Sequence, residues 1–128
     1  MSSVKTKGGD FKGKHLFGEL YNVSAELLDN QEYLKRILID AIAKGNATIC
    51  GVQFKKFEPT GVTVLALLSE SHASIHTYPE LGSLFLDVFT CGDCEPKKIF
   101  EHIVKELRTN SYTVTEIDRG KKEEINCE

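Results

Sequence analysis

A chain of 128 residues, 41% hydrophobic and 27% charged, is the size of one domain and carries enough apolar material for a single core, which excludes a two-domain reading. Its net charge of −3, with the basic pairs Lys35-Arg36, Lys55-Lys56, Lys97-Lys98 and Lys121-Lys122 each close to acids, excludes nucleic acid and anionic membrane as expected partners, since such binding needs clustered Lys and Arg. No stretch approaches the ~20 apolar residues of a membrane span, and the segment MSSVKTKGGDFKGK lacks the apolar centre of a signal peptide, so a cytoplasmic location is expected, with Cys50, Cys91, Cys94 and Cys127 as thiols.

Residues 1 to 12 are polar and glycine-containing and read as a loose tail. HLFGELY at 15 to 21 mixes apolar and polar residues as a half-buried strand does. Asn30 is placed to cap a helix in which Leu34, Ile37, Leu38, Ala41 and Ile42 form one apolar stripe ending at Gly45. Strands follow at 47 to 57, at 62 to 69 after the Pro59-Thr60-Gly61 turn, at 73 to 78, and at 83 to 91 after Pro79-Glu80-Leu81-Gly82. The loops between them are too short for helical crossovers, so neighbours are expected to run antiparallel. Glu95-Pro96 introduces a second amphipathic helix with Ile99, Phe100, Ile103, Val104 and Leu107 on one face, then YTVTEI at 112 to 117 is a last strand before a polar tail. The order β-α-β-β-β-β-α-β predicts an α+β fold, a two-layer sandwich with a mainly antiparallel sheet and two helices on one face, all in one domain spanning 1 to 128.

The sixteen residues LLSESHASIHTYPELG hold three serines, two histidines and two glutamates where a plain strand would alternate, and such local rule-breaking points to function. His72 and His76 share a strand face and Cys91-Gly92-Asp93-Cys94 is a C-x-x-C, but a lone C-x-x-C is a weak zinc signal, and no metal is expected. Ser71 is not in a G-x-S-x-G elbow, so a serine hydrolase is not indicated. What remains is a serine preceded by a glutamyl peptide bond, with a histidine five residues later.

Ser69-Glu70-Ser71-His72, then Ile75-His76-Thr77, Pro79-Glu80 and Asp87-Val88-Phe89-Thr90-Cys91-Gly92, resemble the processing-site and active-site signature of the prokaryotic S-adenosylmethionine decarboxylases. The similarity runs from Gly13 to the strand YTVTEI. It implies a proenzyme in which the Ser71 hydroxyl attacks the carbonyl of Glu70, leaving a β chain of residues 1 to 70 and an α chain of 71 to 128 that begins with a pyruvoyl group made from Ser71. That group forms a Schiff base with the substrate amine and accepts the electrons released with carbon dioxide. The resemblance implies His76 as the processing histidine, Cys91 as the proton donor in turnover, and a processing-helper hydroxyl at Thr63, where the family has serine. Cys50, Cys94 and Cys127 match nothing catalytic and are expected to be core or tail thiols.

For the substrate, Phe57 is similar to the family's adenine-stacking phenylalanine, Glu80 to its ribose-binding carboxylate and Glu19 to an acid facing the sulfonium. The stretch Tyr78-Pro79-Glu80-Leu81-Gly82-Ser83 departs from the family at Leu81 and Ser83, where ring side chains are usual. Relatives with the same signature act on arginine or ornithine, so S-adenosylmethionine is the first expectation, a basic amino acid the alternative, and a non-catalytic activating subunit the third. A homodimer of αβ units with active sites near the interface is the implied assembly.

Overall fold

The computed structural model describes residues 12–69 and 71–120. The alternating segments form strands β1 (Gly13–Tyr21), β2 (Ile49–Lys56), β3 (Val62–Leu68), β4 (Ser71–Tyr78), β5 (Ser83–Cys91) and β6 (Ser111–Arg119). They make one sheet in the order β2-β3-β4-β5-β1-β6, with every neighbouring pair antiparallel. The amino-terminal strand β1 thus lies inside the carboxy-terminal part of the sheet, between β5 and β6.

Helices α1 (Ala25–Leu28), α2 (Gln31–Lys44) and α3 (Pro96–Glu106) complete the fold with a 3-10 turn at Pro79–Leu81. The Asn30 side chain accepts from the Tyr33 amide at 3.1 Å, one of the orphan donors at the start of α2, and Gly45 closes its end. Leu34, Ile37, Leu38, Ala41 and Ile42 of α2 and Ile99, Phe100 and Ile103 of α3 are buried with Leu16, Leu20, Val64, Ala66, Ile75, Leu86 and Val88 of the sheet. Gly18 allows this approach, since a Cβ there would stand 2.3 Å from Phe100 Cε1.

The predicted architecture is the observed one. The additions are local. α1 is a single turn, too short for a periodic signal, whose Ser24 cap accepts from the Leu27 amide at 3.5 Å. β4 begins at Ser71 rather than at residue 73, because Ser71 still pairs with Leu68 across the hairpin. The tails at 1–11 and 121–128, with Cys127, lie outside the described residues, as does Glu70. No helix among the described residues is long and apolar enough to cross a membrane.

Directly paired residues share a face of the sheet. On the face opposite the helices, register lines up Thr63, His76, Phe85 and Glu19 in one row, Leu65, Ser74, Asp87 and Phe17 in the next, and Leu67, His72, Phe89 and His15 in a third. This face is open and partly apolar, with Leu67 62% and Phe17 42% exposed.

Candidate active site

β4 carries both Ser71 and His76, at its first and sixth positions. At about 3.3 Å per residue they stand ~16 Å apart along the strand. His76 pairs with Thr63 of β3, and Thr63 Oγ1 and His76 Nδ1 are hydrogen-bonded at 3.1 Å. Register sets His72 opposite Phe89, so Ser71 and Cys91 follow one and two steps later at the other end of β4 and β5. The predicted residues therefore form two groups at opposite ends of the sheet.

The His76 end also holds the residues assigned to substrate. Phe57 follows β2 and is 44% exposed, so its ring is not part of the core. Glu80 sits in the 3-10 turn after β4 and accepts from Thr60 Oγ1 at 3.4 Å. Glu19 lies in the row of His76 and accepts from the Tyr21 hydroxyl, a bond that, with some burial, holds the phenol above its ordinary pKa. The turn between Phe57 and β3 is clamped by Asp29, whose Oδ1 accepts from the Gly61 amide at 2.8 Å and pairs with Lys56 Nζ at 3.1 Å. The amide bond first, and Lys56 second, hold the Asp29 carboxyl below its usual pKa. A lowered folded-state pKa means that the unfolded chain binds the proton more readily, so this contribution is complete above the ordinary value near ~4 and is lost as pH falls through the folded one. Asp29→Asn is expected to lower the melting temperature at neutral pH while losing less on acidification to about pH 3 than the unaltered chain, as thermal melts at the two pH values would show.

At the other end, Ser71 is half-buried and its hydroxyl donates to the Ser69 carbonyl at 3.3 Å. The hydroxyl thus points back along the chain to a carbonyl two residues earlier. Since Leu68 pairs with Ser71, Ser69 and Glu70 alone join β3 to β4, and Ser-Glu is not a pair that favours a two-residue hairpin, where Asn-Gly or Gly-x is usual. These residues suit a pyruvoyl group formed from Ser71. Cys91 is half-buried and lines a hollow of ≈ 340 Å³ with Thr90, Gly92, Cys94, Gly13 and Lys14. The Thr90 hydroxyl beside it is buried, with no hydrogen-bond partner among the described residues. Cys50 and Cys94, expected as core or tail thiols, are neither: Cys50 is exposed where the β2–β3 register shifts, and Cys94 is half-buried, donating to the Asn46 carbonyl at 3.3 Å.

Sequence reasoning missed a cluster between the two ends. Asp87 accepts from His15 Nε2 through Oδ1 and from His72 Nε2 through Oδ2, the latter at 3.3 Å. Arg119 donates to His15 Nδ1 at 3.0 Å and lies over the Phe89 ring at 4.5 Å. The three ligand atoms of His15, His72 and Asp87 fall within 4.8 Å of one another, as a metal site would require. An arginine can only donate, however, so Nδ1 of His15 accepts and its Nε2 carries the proton given to Asp87, which leaves no lone pair there for a metal. The signal available was outward-facing alternation: His15 and Asp87 are polar at positions of β1 and β5 that point away from the helices.

The description "S-adenosylmethionine decarboxylase" belongs to the family whose pattern matches residues 14–120. A Clostridium kluyveri protein named S-adenosylmethionine decarboxylase proenzyme is 38% identical over 114 residues, covering 88% of this chain and 90% of its own length. One of the same name from Thermoanaerobacter pseudethanolicus is 42% identical over 109 residues, 84% of this chain and 88% of its own. The crystal structure of the adenosylmethionine decarboxylase from Aquifex aeolicus superposes with a TM-score of 0.79 at 32% identity, covering 92% of this chain and 98% of that one. With the match running from β1 through β6 and over both clusters, the chain belongs to the S-adenosylmethionine decarboxylase family.

Proposed function

We propose that the chain cleaves itself between Glu70 and Ser71 and, as a cytoplasmic pyruvoyl enzyme, decarboxylates S-adenosylmethionine to supply an aminopropyl donor for polyamine synthesis. The observation that carries the reading is Ser71 at the head of β4, its hydroxyl bonded back to the Ser69 carbonyl, in a chain whose family relatives are named proenzymes. When formed, the pyruvoyl group supplies a carbonyl that binds the substrate amine and draws off the electron pair released with carbon dioxide. The residues of the chain do the rest. The hydrogen-bonded Thr63–His76 pair takes and returns the proton of the Ser71 hydroxyl during cleavage. In turnover, the Cys91 thiol holds the proton that the substrate Cα receives. Phe57 offers an exposed ring for stacking on adenine, Glu80 a carboxylate for ribose hydroxyls, and Glu19 a negative charge for the sulfonium.

A separation of ~16 Å forbids His76 from serving Ser71 of its own chain, because proton transfer needs hydrogen-bond reach. Two copies resolve this when their open faces meet about a two-fold axis that lies between the sheets and across the strands. That operation sets the Ser71–Cys91 end of one copy over the Thr63–His76 end of its partner, with sheets ~10 Å apart. Each complete site would then take Ser71 and Cys91 from one copy and Thr63, His76, Phe57 and Glu80 from the other. The apolar Phe17, Leu65, Leu67 and Phe85 on that face suit such burial.

Purified protein should release carbon dioxide from carboxyl-labelled S-adenosylmethionine and not from labelled arginine or ornithine. Release from a basic amino acid alone would transfer the assignment to that substrate, and release from none of the three would overturn the enzymatic reading.

A further inference from the structure

The hydrogen-bonded chain Arg119–His15–Asp87–His72 begins on β6, crosses β1 and β5, and ends on β4 at the residue directly after Ser71. It is assembled on the face opposite the helices, outside the helix-side core, as a polar chain set among the rings of Phe17 and Phe89. The His15 ring is packed between Phe17 at 4.4 Å and Phe89 at 5.4 Å, and His72 lies 6.1 Å from Phe89. Of the residues at the start of β4, Ser71 makes its side-chain hydrogen bond to Ser69, which lies on the other side of the proposed cut. Conversion of Ser71 consumes that hydroxyl. What then remains among the described residues to tie the new chain end by a side chain is His72 Nε2 on Asp87.

We propose that this network positions the new chain end: Asp87 clamps His72, and His15, held by Arg119, fixes the clamp, so that residue 71 stays at its place beside β5, one step short of Cys91, once the chain is cut. The proposal rests on the self-cleaving reading above. Free strand ends fray, and an acyl group on a fraying end would lose its alignment with the thiol that serves it. Asp87 and His15 are positioning residues. Neither touches the reacting atoms, and their side chains leave the core unchanged when removed. The network also straddles the cut, since His15 belongs to residues 1–70 and the other three to the later fragment.

The test compares the processed unaltered protein with Asp87→Ala, His15→Ala and the conservative His15→Gln, which can still donate to Asp87. Two bands on a denaturing gel and turnover by the unaltered protein first establish the reading on which the proposal depends; one band and no turnover would sink that reading separately. In Asp87→Ala, hydrogen exchange at the first amides of the 71–128 fragment should rise about tenfold or more, with amides near Ile75 unchanged. For the same variant, kcat should fall about tenfold or more with KM within about twofold, and His15→Gln should recover much of what His15→Ala loses. Unchanged end exchange and kcat in Asp87→Ala would overturn the proposal, as would a loss of protection spread evenly over the sheet with a collapsed melting temperature. Stoichiometric zinc binding that Asp87→Ala abolishes would overturn it too, by making the cluster a metal site.

Discussion

Ser71→Ala is expected to leave the chain uncut, one full-length band in a denaturing gel, with decarboxylation lost to the detection limit. The reason is chemical and has two parts. Alanine has no hydroxyl to attack the Glu70 carbonyl, so the cut does not occur. Without the cut no carbonyl exists at the chain end to bind the substrate amine, and no other group in the site offers an electron sink. Folding should be spared, because Ser71 is half-buried at a strand end and its hydroxyl bond runs to the neighbouring Ser69 carbonyl. Cys91→Ala separates the two functions. Cysteine takes no part in the proposed cut, so that variant should process fully and then turn over poorly. Activity in an uncut Ser71→Ala chain would overturn the pyruvoyl reading.

The second large effect concerns two defective chains that repair each other. Ser71→Ala and His76→Ala homodimers should each be inactive, the first for want of the nucleophile and the second for want of the histidine that moves its proton. If the site is built across two copies, a mixed dimer contains one site with an intact Ser71 from the His76→Ala chain and an intact His76 from the Ser71→Ala chain. Co-expression should therefore cut the His76→Ala chain alone and restore activity to about a quarter of normal, since half the dimers are mixed and each holds one complete site. If His76 served its own chain, co-expression would give no fragments at all. The gel thus measures whether the ~16 Å between the two ends of β4 is bridged by a partner.

The elements were legible because their signals are local. Asn30 and Gly45 bracket the apolar stripe of α2, and Pro96 opens α3. The placement of β1 between β5 and β6 was not, since that pairing joins residues far apart in sequence and leaves no periodic trace. The same divide runs through the site. Ser71, His76 and Cys91 were singled out through a specific motif and Thr63 through its match to a family serine, yet only the folded sheet shows Thr63 bonded to His76 and both remote from Ser71. Asp87 stood inside the quoted motif with no role, because its meaning depends on His15 of another strand, 72 residues away. Burial, too, was misjudged where it depends on tertiary neighbours: Cys50, expected in the core or a tail, stands exposed at a register shift.

The interleaving of the sheet has a consequence for how this protein is made. β1, β2 and β3 precede the proposed cut and β4, β5 and β6 follow it, yet the junctions β3/β4, β5/β1 and β1/β6 all join one side to the other. Before the cut, those partners find each other within one chain, at the modest entropic cost of loop closure. After it, they are two solutes, and reassembly from the denatured state becomes a second-order reaction that slows on dilution. Three shared seams would let the folded molecule give up that peptide bond without coming apart. With the proposed cut they would also impose an order on its life, in which the sheet closes first and the chain breaks second, and a processed molecule once unfolded could not retrace the route by which it was built.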